Sequence, residues 1–138
     1  MNVRPESLHL SRQWIVKAEG DLRSAEHLLS KGAEWAFPTA CFHAQQCAEK
    51  YLKGVLTLHS VAFPKTHDLT DLVHLVPSNI KPRVELVELG TLNRYAVEAR
   101  YPGDWEPIER EDAEQAVAIA RKVREAVRAD LPREATEE

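Results

Sequence analysis

The sequence predicts an all-α protein, an antiparallel up-and-down four-helix bundle with an additional short helix. Three observations lead there. Ala (17) and Leu (15) supply much of the 138-residue chain, with only five glycines, and both are strong helix formers. Apolar residues recur at intervals of three and four, the spacing of one helix face. Prolines and turn residues cut the chain into pieces of helical length joined by connections of ordinary size.

The first predicted helix runs from about Ser11 to Lys31. Trp14, Ala18, Leu22, Ala25 and Leu29 form its apolar stripe. Ser11 is the expected N-cap and Gly32 the expected stop. Gly20 lowers helix propensity by up to ~1 kcal/mol relative to Ala, which suggests a close neighbour there. The second helix, about Pro38 to His59, starts with proline in its first turn. At 100° per residue, Phe37, Cys41, Ala44, Ala48, Tyr51, Leu52 and Val55 share one side. His43, Gln46, Glu49, Lys50, Lys53 and Thr57 share the other.

Pro64 to Asp68 reads as a turn into a short helix, with Thr66 or Asp68 as its cap. Leu69, Leu72, Val73 and Val76 point inward, and Pro77-Ser78-Asn79 ends it. A fourth helix is expected over Pro82 to Arg100, with Leu89, Leu92, Ala96 and Ala99 in one row and Leu86 and Val97 elsewhere. A helix apolar on several sides is central or half of an interface, so a homodimer is expected. Tyr101 to Pro107 is a proline-rich loop. The last helix, about Glu111 to Ala129, carries Ala113, Val117, Ala120, Val123 and Val127 in register. Its acidic start and basic end suit the helix dipole. The bundle therefore covers residues 11–129, with flexible termini at 1–10 and 130–138.

Composition bounds the function. Eighteen basic against 22 acidic residues give a net charge of −4, which argues against non-specific binding of nucleic acid by the whole surface. Residues 98–138 hold 12 acids and 7 bases, leaving residues 1–97 slightly basic. A local positive pocket on a negative body would admit a small phosphate ligand. Cys41 and Cys47 lie six apart without a ligand cluster, so neither a disulfide framework nor a zinc site is indicated. No cofactor or metal is expected. No apolar run approaches the ~18 residues of a membrane span, and the first residues lack a signal-peptide apolar region. A cytoplasmic protein without membrane attachment is the expectation.

Three features can carry chemistry. The polar stripe His43, Gln46, Glu49, Lys50 and Lys53 is either a solvated face, with Glu49 and Lys53 as an i,i+4 pair, or one wall of a site. Thr66-His67-Asp68 is either simple capping or a helix start offering a titratable histidine to phosphate. Arg94-Tyr95 and Arg100-Tyr101-Pro102 either pair with Asp104, Glu106 and Glu109, or grip phosphate while a tyrosine stacks on a base.

In this order the three features resemble the HEPN domains, the higher eukaryotes and prokaryotes nucleotide-binding domains. Residues 41–53, Cys-Phe-His-Ala-Gln-Gln-Cys-Ala-Glu-Lys-Tyr-Leu-Lys, resemble the signature helix of that family. Thr66-His67-Asp68-Leu69 and Ala99-Arg100-Tyr101-Pro102 match its second and third landmarks. Trp14, Ala18, Asp21, Leu22 and Ala25 fit its first helix. The resemblance implies an up-and-down bundle, usually a homodimer, often encoded beside a minimal nucleotidyltransferase as a two-component, often toxin–antitoxin, system. Many branches are ribonucleases with an R-x4-6-H motif, in which arginine stabilises phosphate charge and histidine moves protons. This sequence departs from that motif, because Ala99, Arg100 and Tyr101 stand where a histidine would follow Arg94. The expectation is therefore a nucleotide- or RNA-binding HEPN-type protein, partner of a nucleotidyltransferase, without strong catalysis. Gln46, Lys50, Lys53, His67, Arg94, Arg100 and Tyr101 are the expected nucleotide- and phosphate-binding residues. A ribonuclease toxin with a displaced active site using His67 or His43, and a purely structural dimerisation module, are the alternatives.

Overall fold

Small side chains on the second helix let its neighbours close around it, and the rest of the fold follows. The computed structural model describes residues 3–96 and 107–136. Its elements are α1 (Pro5–Lys31), α2 (Ala36–Leu58), α3 (Leu69–Leu75), a 3-10 turn (Ser78–Ile80), α4 (Leu86–Asn93), α5 (Arg110–Asp130) and α6 (Arg133–Thr136). The described residues contain no strand, so the protein is all-α.

Helix α2 is the central post. Ala36, Ala40, Ala44, Ala48 and Gly54 are among its buried positions, so packing reaches well beyond one stripe. Helix α1 runs antiparallel to it: Ser11 meets Gly54, and Asp21 meets His43. At Gly54 the two helices are joined directly, the backbone carbonyl accepting a 2.8 Å hydrogen bond from the Ser11 hydroxyl. Helix α5 runs antiparallel to α1, as the Arg121–Glu26 and Arg124–Glu19 pairs record. Helix α4 packs against α2, α3 and α5. Leu52, Leu56, Leu69, Leu72, Leu89, Leu92 and Val117 are fully buried, and each such side chain stabilises the fold by about 1.5–3 kcal/mol.

The predicted apolar registers of α2 and α5 are buried throughout. Gly32 ends α1 in the left-handed conformation, φ 71°, where glycine escapes the Cβ penalty. Asp68, rather than Thr66, caps α3: its side chain accepts the backbone N–H groups of Thr70 and Asp71. Helix α5 opens with a reciprocal capping box between Glu109 and Asp112.

Several expectations are corrected. Helix α1 begins at Pro5, so Ser11 is a buried mid-helix residue and not an N-cap. Residues 5–10, expected as a flexible terminus, are helical because Leu8 packs on the core. Residues 133–136 likewise form α6, held by buried Ala135. The fourth helix is shorter than expected at both ends: it begins at Leu86, with extended backbone at Glu85 and no side-chain cap, and ends at Asn93, after which residues 94–96 turn. Its expected extension over 97–100, and the loop residues 101–106, lie outside the described residues. Gly20 has no close neighbour, since a Cβ there would meet nothing within 4 Å. The close approach occurs at Gly54 instead.

This contact yields a graded test. A Cβ on Gly54 would sit 3.5 Å from Ile15 Cγ1 and from Trp14 Cβ, ordinary van der Waals contact. Gly54→Ala should be neutral or stabilise by up to ~1 kcal/mol through helix propensity. Gly54→Leu should destabilise by about 1–3 kcal/mol through overpacking. Urea denaturation of the two variants beside the parent checks both signs.

Candidate functional site

A carboxylate taken out of water costs several kcal/mol unless its lone pairs find partners. Glu49, 3% exposed on α2, is such a group. Its Oε2 accepts from Lys53 Nζ at 2.9 Å. Its Oε1 accepts from His67 Nδ1 at 2.9 Å, from Gln45 Nε2 at 3.3 Å and from Gln46 Nε2 at 3.4 Å. Helical spacing explains three of these donors, because positions 45, 46 and 53 lie within one turn of 49. The fourth, His67, comes from the connection between α2 and α3. Gln45 fixes that connection by donating to the His67 backbone carbonyl at 2.9 Å.

The geometry sets the histidine tautomer. A carboxylate only accepts, so the Nδ1 of His67 carries the proton and Nε2 is left for outside contacts. The imidazole is 65% exposed, whereas Glu49 beneath it is sealed. The result is a solvent-facing ring on a buried anchor.

Aromatic rings cover the other side of the cluster. Lys53 Nζ lies 5.6 Å from the Trp14 ring centroid and 5.8 Å from that of Phe63, within cation–π range. The two rings meet edge-on with centroids 6.4 Å apart. Trp14 is placed there by the close packing of α1 on Gly54.

Two further carboxylates follow the same pattern between α1 and α2. Asp21 accepts from His43 Nδ1 at 2.8 Å through one oxygen and from Lys50 Nζ through the other. Glu19 accepts from the Tyr51 hydroxyl and from Arg124. Burial acts to raise the Glu19 pKa, but Tyr51 and the Arg124 and Arg128 guanidinium groups hold it below the usual carboxylate range. Asp68 is also held low, by the Thr70 hydroxyl against a smaller burial effect, with help from the Asp71 N–H and the Asn93 amide. Burial raises the thiols of Cys41 and Cys47, so they are poor nucleophiles. No group of three or more His, Cys, Asp or Glu residues suited to a metal occurs among the described residues. No helix among them is long and apolar enough to cross a membrane.

Two of the three sequence landmarks meet, the polar stripe of α2 and the segment around His67. Gln46, Lys53 and His67 all reach Glu49. Asn93, one residue before Arg94, accepts from the Leu69 N–H at 2.8 Å and donates to Asp68 at 3.1 Å, tying the end of α4 to the residue after His67. Arg94 lies over the Tyr95 ring, 5.9 Å from its centroid. The two lysines separate, however: Lys50 turns to Asp21 while Lys53 turns to Glu49. The stripe is thus not a row of uncompensated cations, because each lysine meets a buried acid. Arg100 and Tyr101 lie outside the described residues. Asp21, Gln45, Trp14 and Phe63 were absent from the expected site. The abundance of small residues around α2 was the available signal, since a helix that close to its neighbours buries part of its polar face.

These features define a small helical bundle with a carboxylate-anchored histidine at its surface. The HEPN domain profile matches residues 11–130, and the chain belongs to the HEPN domain family. It is 29% identical, over 88% of each chain, to a Methanocaldococcus jannaschii protein named "Putative toxin MJ1304". It resembles the crystal structure of TT1696 from Thermus thermophilus, with a TM-score of 0.75 and 29% identity over 88% of this chain and 98% of that one. ST0689, an archaeal HEPN homologue, gives a TM-score of 0.67 and 28% identity over 86% of this chain and 95% of that one.

Removing Glu49 strands a buried ammonium, whereas removing Lys53 leaves Glu49 with three donors. Glu49→Leu should therefore cost about 3–5 kcal/mol and Lys53→Met distinctly less, as read from denaturant midpoints. Acid should also weaken the fold in a predictable direction. Glu19 and Asp68 have folded pKa values below their unfolded ones. Their contribution is complete above the ordinary carboxylate range, about pH 4, and is lost as pH falls through the folded values. Melting temperature between pH 7 and pH 3 should fall on the acid side, and less steeply in Glu19→Gln.

Proposed function

We propose that this protein binds a nucleotide or RNA at the Glu49–His67 cluster and acts as the partner of a minimal nucleotidyltransferase in a two-component, toxin–antitoxin-like system, without strong catalysis of its own. The observation that carries the reading is the convergence of Lys53 and His67 on one buried carboxylate, beside the Asn93–Arg94 segment. An imidazole pinned through Nδ1 offers a fixed Nε2 to a ribose or phosphate group. Family membership and the toxin in the name of the M. jannaschii relative support the two-component setting. Leu86 and Val87, exposed on α4, support a homodimer.

A second reading is a ribonuclease with a displaced site. It draws on a specific feature: His43 and His67 each place Nδ1 on a buried carboxylate, 2.8 Å and 2.9 Å away. Such a partner orients a histidine for proton transfer.

Calorimetric titration with AMP, ATP and a short single-stranded RNA tests the first reading. His67→Ala should weaken binding about tenfold or more, roughly 1.4 kcal/mol for each factor of ten, with little change in melting temperature. Binding unaltered in His67→Ala would remove the cluster from the site. Robust RNA cleavage that disappears in folded His67→Ala would establish the second reading instead. Co-purification with a nucleotidyltransferase encoded alongside tests the partnership. Sedimentation at micromolar concentration should give twice the 15.6 kDa protomer mass.

A further inference from the structure

We propose that Trp14 and Phe63 form the base-stacking edge of the Glu49–His67 site, so that its ligand is an unpaired nucleobase carried on a ribose phosphate and not a bare phosphate. The inference rests on the nucleotide- or RNA-binding reading above and assigns the chemical group that this site selects. Both rings are half-buried, and they arrive from different elements. Trp14 stands on α1, pressed against α2 at Gly54. Phe63 stands on the connection that also carries His67, four residues further on, where Gln45 holds the backbone. Phe63 and the exposed imidazole are therefore presented by one short segment, and Trp14 by α1, around one buried cluster.

Charge argues for the same ligand. Lys53 is spent on Glu49 and Lys50 on Asp21, so the lysines of the stripe give a lone phosphate little uncompensated attraction. Stacking of a base on an aromatic ring does not depend on net charge and accepts any base. The His67 ring directs its Nδ1 proton to Glu49 and turns Nε2 outward. Nε2 is the ring atom left to hydrogen-bond a ribose hydroxyl or a base edge. The competing role for the rings is to shield the Lys53–Glu49 pair from water.

The test uses the full chain with Trp35→Phe and Trp105→Phe, which leaves Trp14 as its single tryptophan. It is titrated with AMP, ribose 5-phosphate and a single-stranded tetraribonucleotide, following fluorescence and, in parallel, heat. AMP and the tetranucleotide should quench Trp14 saturably, while ribose 5-phosphate binds at least tenfold more weakly and quenches nothing. In the otherwise intact chain, Trp14→Leu and Phe63→Leu should each lower AMP affinity at least tenfold, with helix content retained by circular dichroism. The quenching experiment keeps both rings, so it decides the matter even if a leucine variant fails to fold. A preference of tenfold or more between AMP and the tetranucleotide identifies the source of the base, and either preference supports base recognition. Equal affinity for AMP and ribose 5-phosphate without quenching would show that the rings only shield the ion pair, overturning this inference while leaving nucleotide binding in place. No heat and no quenching with any of the three would overturn both.

Discussion

The buried carboxylate of Glu49 is the constraint on which the candidate site depends. An ionised acid enclosed in a helical bundle is tolerable only with its oxygens satisfied, and here four side chains satisfy them. Three come from α2 itself, within one turn of the acid. The fourth comes from beyond the helix and closes the connection to α3 against it. A single charge thus links local helix geometry to the long-range placement of His67. The same bond leaves the ring exposed while fixing which nitrogen faces outward.

That arrangement needs close packing on the opposite flank. Helix α1 reaches α2 at Gly54, where room for no more than a methyl lets Ser11 donate to the backbone carbonyl, and Trp14 lies beside Lys53. Small residues along α2 therefore do more than fill a core. They bring a second helix near enough to exclude water from the Lys53–Glu49 pair, which strengthens it electrostatically and makes the acid costly to lose. Packing and electrostatics reinforce each other at this point. Asp21 with His43 and Lys50, and Glu19 with Tyr51 and Arg124, repeat the device along the α1–α2 seam. Acids on α1 and α2 thereby hold donors in place without leaving isolated charges in the interior.

The site also shows why a charge pattern is an incomplete guide to ligand chemistry. Lys50 and Lys53 look alike on a helical wheel, yet they end on different acids. Their charges serve the interior first. Beside them stand an exposed imidazole and two half-buried aromatic rings, the groups on which the proposed nucleoside recognition rests.

Much of this was legible in the sequence. The helical class, the apolar registers of α2 and α5, the Gly32 stop and the family landmarks depend on local periodicity, turn chemistry and short motifs, all of which act over a few residues. The i,i+4 relation of Glu49 and Lys53 was legible for the same reason. The tertiary structure alone decided that this pair is buried, that His67 joins it, and that Ser11 is a bonded interior residue and not a cap. It also decided that Gly54, and not Gly20, marks the close approach. These outcomes depend on which helix lies against which and at what distance. Sequence periodicity gives the face of a helix, but it does not give the neighbour that covers that face.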